Sequence, residues 1–218
     1  MIQIKDLSKA FGSHQVLNEL NISFAKGKVH GVVGKNGAGK STLFNCLVGL
    51  DNYEGEIVSD LNPLKNHCSF LPTAPFYFSH MTGLEYLKLV CHANEVKLPK
   101  REDLLFQLPY DQYAITYSTG MKKKLAFQSI VLEDKDLIVL DEPFNGVDLE
   151  SNYSLIAQIK RWTVEEKTVI IASHIFSTLQ DLCDKVHWLD DGNFKKSIHP
   201  HEYSTFEEEL KAKMKEVK

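Results

Sequence analysis

Residues 34–42 read Gly34-Lys35-Asn36-Gly37-Ala38-Gly39-Lys40-Ser41-Thr42, and this nonapeptide decides the fold. It satisfies G-x-x-x-x-G-K-[ST] directly after the apolar run Val29 to Val33 and directly before Leu43, Phe44, Leu47 and Val48 at helical spacing. The order predicts a strand, a glycine loop and a helix from about Lys40 to Leu50. Gly34, Gly37 and Gly39 let main-chain N–H groups approach an anion without a β-carbon in the way. Lys40 adds a positive charge, Ser41 a hydroxyl ligand for Mg²⁺, and the helix N-terminus a favourable dipole. The expected ligand is a purine nucleoside triphosphate.

Two further strand ends point to the same chemistry. Asp141, Glu142 and Pro143 close the run Leu137 to Leu140, which places two adjacent carboxylates where ligands bind in open α/β sheets. Asp141 is expected to hold Mg²⁺ through a water, and Glu142 to polarise a water that attacks the γ-phosphorus. His174 follows Val169-Ile-Ile-Ala-Ser173 and is expected to reach the γ-phosphate and help place that water.

Around these ends the pattern is α/β. Ile2 and Ile4, then Leu20, Ile22 and Phe24, alternate as in an antiparallel sheet with one covered face. Residues 137–140 and 169–172 are continuous apolar runs, the mark of parallel strands covered on both sides. The stretch from Glu150 to Thr163 between them reads as a crossover helix with Leu155, Ile156 and Ile159 inward. Leu84, Leu87, Leu89 and Val90, then Leu125, Ile130 and Val131, suggest a helical insertion between about 75 and 130. Asp190-Asp191-Gly192-Asn193 predicts a hairpin turn. In the tail, Ser204 with Glu207 reads as a capping box before Phe206, Leu210 and Met214, with pairs Glu207–Lys211 and Glu209–Lys213.

Composition narrows the class. The 218 residues are 43% hydrophobic and 25% charged, which suits a single folded domain rather than a disordered chain. Lysine and arginine number 25 against 29 acidic residues, so no nucleic-acid partner is expected. Cys46, Cys68, Cys91 and Cys183 are widely spaced, which argues against a disulfide framework or a metal cluster. No run is long enough for a membrane helix and no signal peptide is evident, so a partner must supply any membrane attachment.

With the segment Tyr117-Ser118-Thr119-Gly120-Met121 added, the chain resembles the nucleotide-binding subunits of the ATP-binding cassette transporters over almost its whole length. The resemblance implies a P-loop NTPase (RecA-like) α/β core, residues 1–74 and 131–218, with an N-terminal antiparallel β-subdomain. Residues 75–130 would form the inserted α-helical subdomain. It implies that Ser118, Thr119, Gly120 and Met121 cap ATP held by an opposite subunit, that Phe11 stacks on adenine and that Thr42 touches phosphate. Asp148, in Asn145-Gly146-Val147-Asp148, would anchor a loop that meets its counterpart across the dimer. Thr73 stands where the family usually has a glutamine, as a further candidate metal contact. Thr119, Met121 and Phe144 also differ from the commonest family residues.

The activity implied is ATP hydrolysis with ATP and Mg²⁺, in which two copies, or this chain and a paralogue, close and reopen. The motion would drive separately encoded transmembrane subunits from the cytoplasmic face of the membrane, with the short chain leaning toward export. Phe76-Tyr77-Phe78 would line the partner's groove or pack the helical insertion. A non-transport cassette acting on ribosomes or DNA is the alternative.

Overall fold

The computed structural model describes the backbone of residues 1–216 and the side chains of residues 1–210. Alternating apolar residues build the first two strands, β1 (Ile2–Phe11) and β2 (His14–Phe24), which pair antiparallel from Ile2 opposite Phe24 to Phe11 opposite His14. Ile2, Ile4, Leu7, Leu17, Leu20 and Phe24 are buried. After β3 (Val29–Val33) and α1 (Lys40–Leu47) comes β4 (Glu54–Ser59), which adds to the free edge of β1 and completes a three-stranded sheet.

The remaining elements are β5 (Cys68–Leu71), α2 (Gly83–Ala93), α3 (Thr119–Glu133), β6 (Leu137–Asp141), α4 (Leu149–Val164), β7 (Thr168–Ser173), α5 (Ser177–Gln180), β8 (Lys185–Asp190), β9 (Asn193–Ile198) and α6 (Tyr203–Glu216). A six-stranded sheet has the order β5-β6-β7-β3-β8-β9, parallel except for β9. Alternation splits its side chains between two cores. Leu137 and Val139 face the antiparallel sheet and α1, whereas Ile138 and Leu140 face the cluster built by α2 to α4 and the C-terminal segment. Both faces are covered, which explains the unbroken apolar runs.

Strand register places the site. Asp141 lies opposite Ala172 and Val33 opposite Ser173, while Leu71 lies opposite Leu140. The carboxyl ends of β3, β5, β6 and β7 therefore reach one edge of the sheet together, and Gly34, Thr73, Asp141 and His174 follow from them.

Helix boundaries correct two expectations. α1 ends at Leu47 rather than near Leu50 because Gly49, at φ +78°, closes a Schellman turn: its N–H donates to the Cys46 carbonyl and that of Leu50 to the Asn45 carbonyl. Ser204 does not cap α6. A 3₁₀ turn, Pro200–Glu202, leads directly into it, and the capping box belongs to His199 and Glu202 one turn earlier. Phe206 is buried and Leu210 packs on the core; the side chains of Lys211, Lys213 and Met214 lie outside the described residues. In the crossover helix Leu155 and Ile159 are buried, together with Trp162, whereas Ile156 is only half-buried. The β8–β9 turn is of the two-residue type with Asp191 and Gly192 both at positive φ.

Candidate active site

The glycine loop is clamped from outside. Lys35 turns away from the sheet edge to pair with Asp190 and Asp191, and the Ala38 carbonyl accepts from the N–H of Gly192, so the β8–β9 turn braces the loop. Gly192 is needed there: a β-carbon would stand 2.3 Å from the Val16 carbonyl oxygen. Within the loop Gly37 and Gly39 adopt φ of +83° and +102°. No side chain caps α1 at Gly39, which leaves the helix N-terminus directed at whatever the loop encloses.

A cleft of about 600 Å³ opens over this loop. Asn36, Gly37, Gly39, Lys40, Ser41 and Thr42 line one side; Thr73, Asp141, Glu142 and His174 line another. Lys40 is buried, its ammonium donating to the Gly34 carbonyl at 2.7 Å and lying 3.9 Å from Glu142 Oε1. Burial pushes its pKa down, while Glu142 and Asp141 act in the opposite direction.

Asp141 is almost wholly buried. Its Oδ2 accepts from Ser41 Oγ at 2.5 Å and from Thr73 Oγ1 at 2.7 Å, whereas Oδ1 has no partner. An unpaired buried carboxylate oxygen is costly, and a hard cation beside it would remove the cost. Asp141 with the Ser41 and Thr73 hydroxyls is thus an all-oxygen set that fits Mg²⁺.

Glu142 sits at φ +52°, rare for a residue with a β-carbon. Its N–H donates to the Ala172 carbonyl, and its Oε1 lies 2.9 Å from His174 Nδ1. A carboxylate can only accept, so the histidine proton is on Nδ1 and Nε2 is left for another partner.

The remaining sequence-selected residues lie elsewhere. Phe11 is half-exposed at the end of β1, under the Lys9 ammonium and not among the cleft-lining residues. Ser118 caps α3, accepting from the Met121 N–H; Ser118 and Thr119 are exposed, with Gly120 and Met121 partly covered. Asp148 caps α4, accepting from the Ser151 N–H and from Lys124, and these bonds hold its carboxyl well below the usual range. Of the aromatic trio, Phe76 and Phe78 are exposed against each other, whereas Tyr77 is buried with its hydroxyl on the Lys122 carbonyl.

Sequence reasoning missed four residues. His14 and Val16 of β2 and Asn145 line the cleft, and no motif marks the first two. Lys123 is 2% exposed, although it belongs to a basic run, and its ammonium donates to the Glu142 carbonyl at 2.6 Å. The signal was present: Lys123, Phe127 and Ile130 recur at the spacing of one buried helix face.

Residues 17–145 match the ABC transporter family, more than half of the chain. The chain belongs to the ABC transporter family. Membership together with the phosphate loop and the carboxylates that line its cleft makes the chain an ATPase. It is 31% identical over 202 residues to the lantibiotic transport ATP-binding protein SrtF of Streptococcus pyogenes, covering 88% of each chain. A solved ATP-binding subunit of an ABC transporter superposes with a TM-score of 0.82 at 24% identity, over 91% of this chain and 90% of that one. The dimeric ATP-binding cassette MJ0796, in a post-hydrolysis state with ADP and Pi, gives 0.80 at 19% identity over 92% and 99%. At these identities the two structures establish a shared ABC ATPase fold.

Proposed function

We propose that this ABC family member powers a membrane transporter by closing onto ATP with a second copy or a paralogue and reopening after hydrolysis. The observation that carries the reading is spatial separation. Lys40, Asp141, Glu142 and His174 converge on one cleft, while the Ser118 turn stands exposed outside it, available to another molecule's nucleotide. The dimeric state of the structurally similar cassette supports the same arrangement.

In this mechanism Gly34 to Thr42 wrap the phosphates with main-chain N–H groups, and Lys40 neutralises the β and γ oxygens. Ser41 and Asp141, with Thr73, would hold Mg²⁺, which when bound neutralises charge on the phosphates. Glu142 takes the proton of the attacking water, and His174 keeps that carboxylate oriented through Nδ1–H; its Nε2 donates to the γ-phosphate in the doubly protonated form of the ring. The water oxygen bonds to the γ-phosphorus as the bond to the β–γ bridging oxygen breaks, giving ADP and phosphate. Phe11 provides the adenine platform, and Ser118 with Gly120 donates to the opposing γ-phosphate. Asp148 steadies the loop at the dimer seam.

Residues 75–130 act as the helical subdomain, and residues 1–74 with 131–218 as the nucleotide-binding core. No helix among the described residues is long and apolar enough to cross a membrane. Similarity to a lantibiotic transport ATP-binding protein supports a separate transmembrane partner and a peripheral place on the cytoplasmic face. Exposed Phe76 and Phe78 suit docking to that partner. Export is the direction we favour.

Glu142→Gln should elute as a dimer on a sizing column with ATP and Mg²⁺; a persistent monomer at saturation overturns the closure. Purification from membranes should bring down a polytopic protein. Ribosomes or DNA in its place would establish the non-transport alternative.

A further inference from the structure

We propose that Lys123 is a positioning residue for Glu142: from the second turn of α3, its ammonium holds the Glu142 backbone in the left-handed conformation that aims the carboxylate into the cleft. The inference rests on the reading of Glu142 as the base.

A lysine this deeply buried needs a partner, and here the partner is a main-chain carbonyl rather than a carboxylate, at 2.6 Å. That carbonyl belongs to the residue whose backbone is strained. Glu142 has φ +52°, and a strained conformation persists only where the surroundings over-determine it. Its N–H is fixed by the Ala172 carbonyl at 3.0 Å, and its C=O accepts from Lys123 and, at 3.3 Å, from the Asn145 N–H. Of the two groups on that C=O, the ammonium is closer and charged. Relaxation of φ to negative values would swing the side chain away from His174 Nδ1 at 2.9 Å and from Lys40 at 3.9 Å.

The same helix carries the Ser118 turn. A β-carbon on Gly120 would stand 2.5 Å from the Gly146 carbonyl oxygen, and Lys124 reaches Asp148 at 2.9 Å. Over its first two turns α3 thus rests on residues 142–148 at three points. The turn offered to a neighbouring copy's nucleotide and the base of this copy's own site are joined through one rigid helix, with Lys123 at the junction. Burial pushes the Lys123 ammonium's pKa down, while Glu142 and then Asp141 act in the opposite direction.

The test uses the whole chain with three substitutions, K123M, K123Q and K123R. K123M matches the length but lacks the charge. It should lower kcat roughly 10- to 100-fold while KM, and the Kd of a fluorescent non-hydrolysable ATP analogue, move less than about threefold. K123R and K123Q, which keep a donor, should recover part of the loss, and K123Q serves where K123M fails to fold. In an E142Q background, followed by single turnover, K123M should cost less than about a further twofold. The proposal is overturned by K123M turning over within about twofold of the parent, by loss of analogue binding in parallel with kcat across all three variants, or by a full additional loss in E142Q. E142Q turning over at the parent rate overturns the base assignment and the proposal together, whereas a dead E142Q with a normal K123M overturns the proposal alone.

Discussion

The six-stranded sheet holds two buried polar clusters that differ in one respect. At its carboxyl edge, the cluster of Lys40, Asp141, Glu142 and Lys123 is left incomplete at one atom, Asp141 Oδ1, and holds Glu142 strained. Toward the other end of β3 and in β8, His30 and His187 form a finished chain. His30 Nε2 must donate to the Ala25 carbonyl, so its Nδ1 accepts from His187 Nε2 at 3.3 Å, and His187 Nδ1 accepts from Ser197 Oγ at 2.8 Å. Every nitrogen is satisfied with both rings neutral, and Phe24 packs edge-on against both. Polarity left incomplete is kept for a ligand; polarity completed is kept for the fold.

The sharpest way to break this contrast is to exchange the consequences. Glu142→Gln should lower ATP turnover on the order of 10³-fold, about 4 kcal/mol of barrier, since a general base contributes in that range. Its thermal midpoint should move little, because the loss of repulsion with Asp141 offsets the loss of the charge that favours the buried Lys40 and Lys123 ammoniums. A large drop in midpoint would make the edge cluster structural.

His187→Ala should do the reverse. It leaves His30 Nδ1 and Ser197 without their partner and opens a cavity beside Phe24, costing roughly 2–4 kcal/mol of stability. For a chain of this size that is a midpoint lowered by about 5–15 °C, read by circular dichroism. Turnover per folded molecule at low temperature should be unchanged.

Acid provides a finer probe of the same cluster. Burial, then the neighbouring His30, Lys185 and His199, hold His187 down to about 3, and burial lowers His30 as well. In the unfolded chain histidine titrates near 6.5, so between these values the unfolded state binds the extra proton. Stability is therefore fully present above about pH 6.5 and falls as pH drops toward 3, by about 1.4 kcal/mol per pH unit for each such histidine. Urea midpoints measured from pH 7.5 to 4.5 should show the slope, and His187→Ala should flatten it. An unchanged slope would mean that the carboxylates, not the histidines, set acid sensitivity.

Residues 34–42 and 136–143 were legible because each local pattern agrees with its tertiary setting: glycines where φ is positive or, at Gly34, where a β-carbon would strike the Leu189 carbonyl, and carboxylates where a buried strand ends. Lys123 and the His30–His187 pair were not, since their roles depend on partners 19 and 157 residues away. β4 escaped for a related reason. Glu54–Ser59 is polar on its own and is a strand only because the edge of β1 receives it. The start of α6 was misplaced because Ser204 and Glu207 have the right spacing, but the preceding Pro200 turn had already begun the helix.

The smallest effect tests the departure from the family pattern. Thr73 gives Asp141 Oδ2 its second hydrogen bond and Ser41 gives the first, while the buried Oδ1 has none. Thr73→Val keeps the shape and removes that donor. If the hydroxyl orients the carboxylate, the Mg²⁺ concentration that half-saturates analogue binding should rise about fivefold, equivalent to roughly 1 kcal/mol for one hydrogen bond. If it instead competes with the ion for the same oxygen, the value should fall. The first outcome makes a short side chain adequate at this position, because holding Asp141 still matters more there than reaching the metal directly.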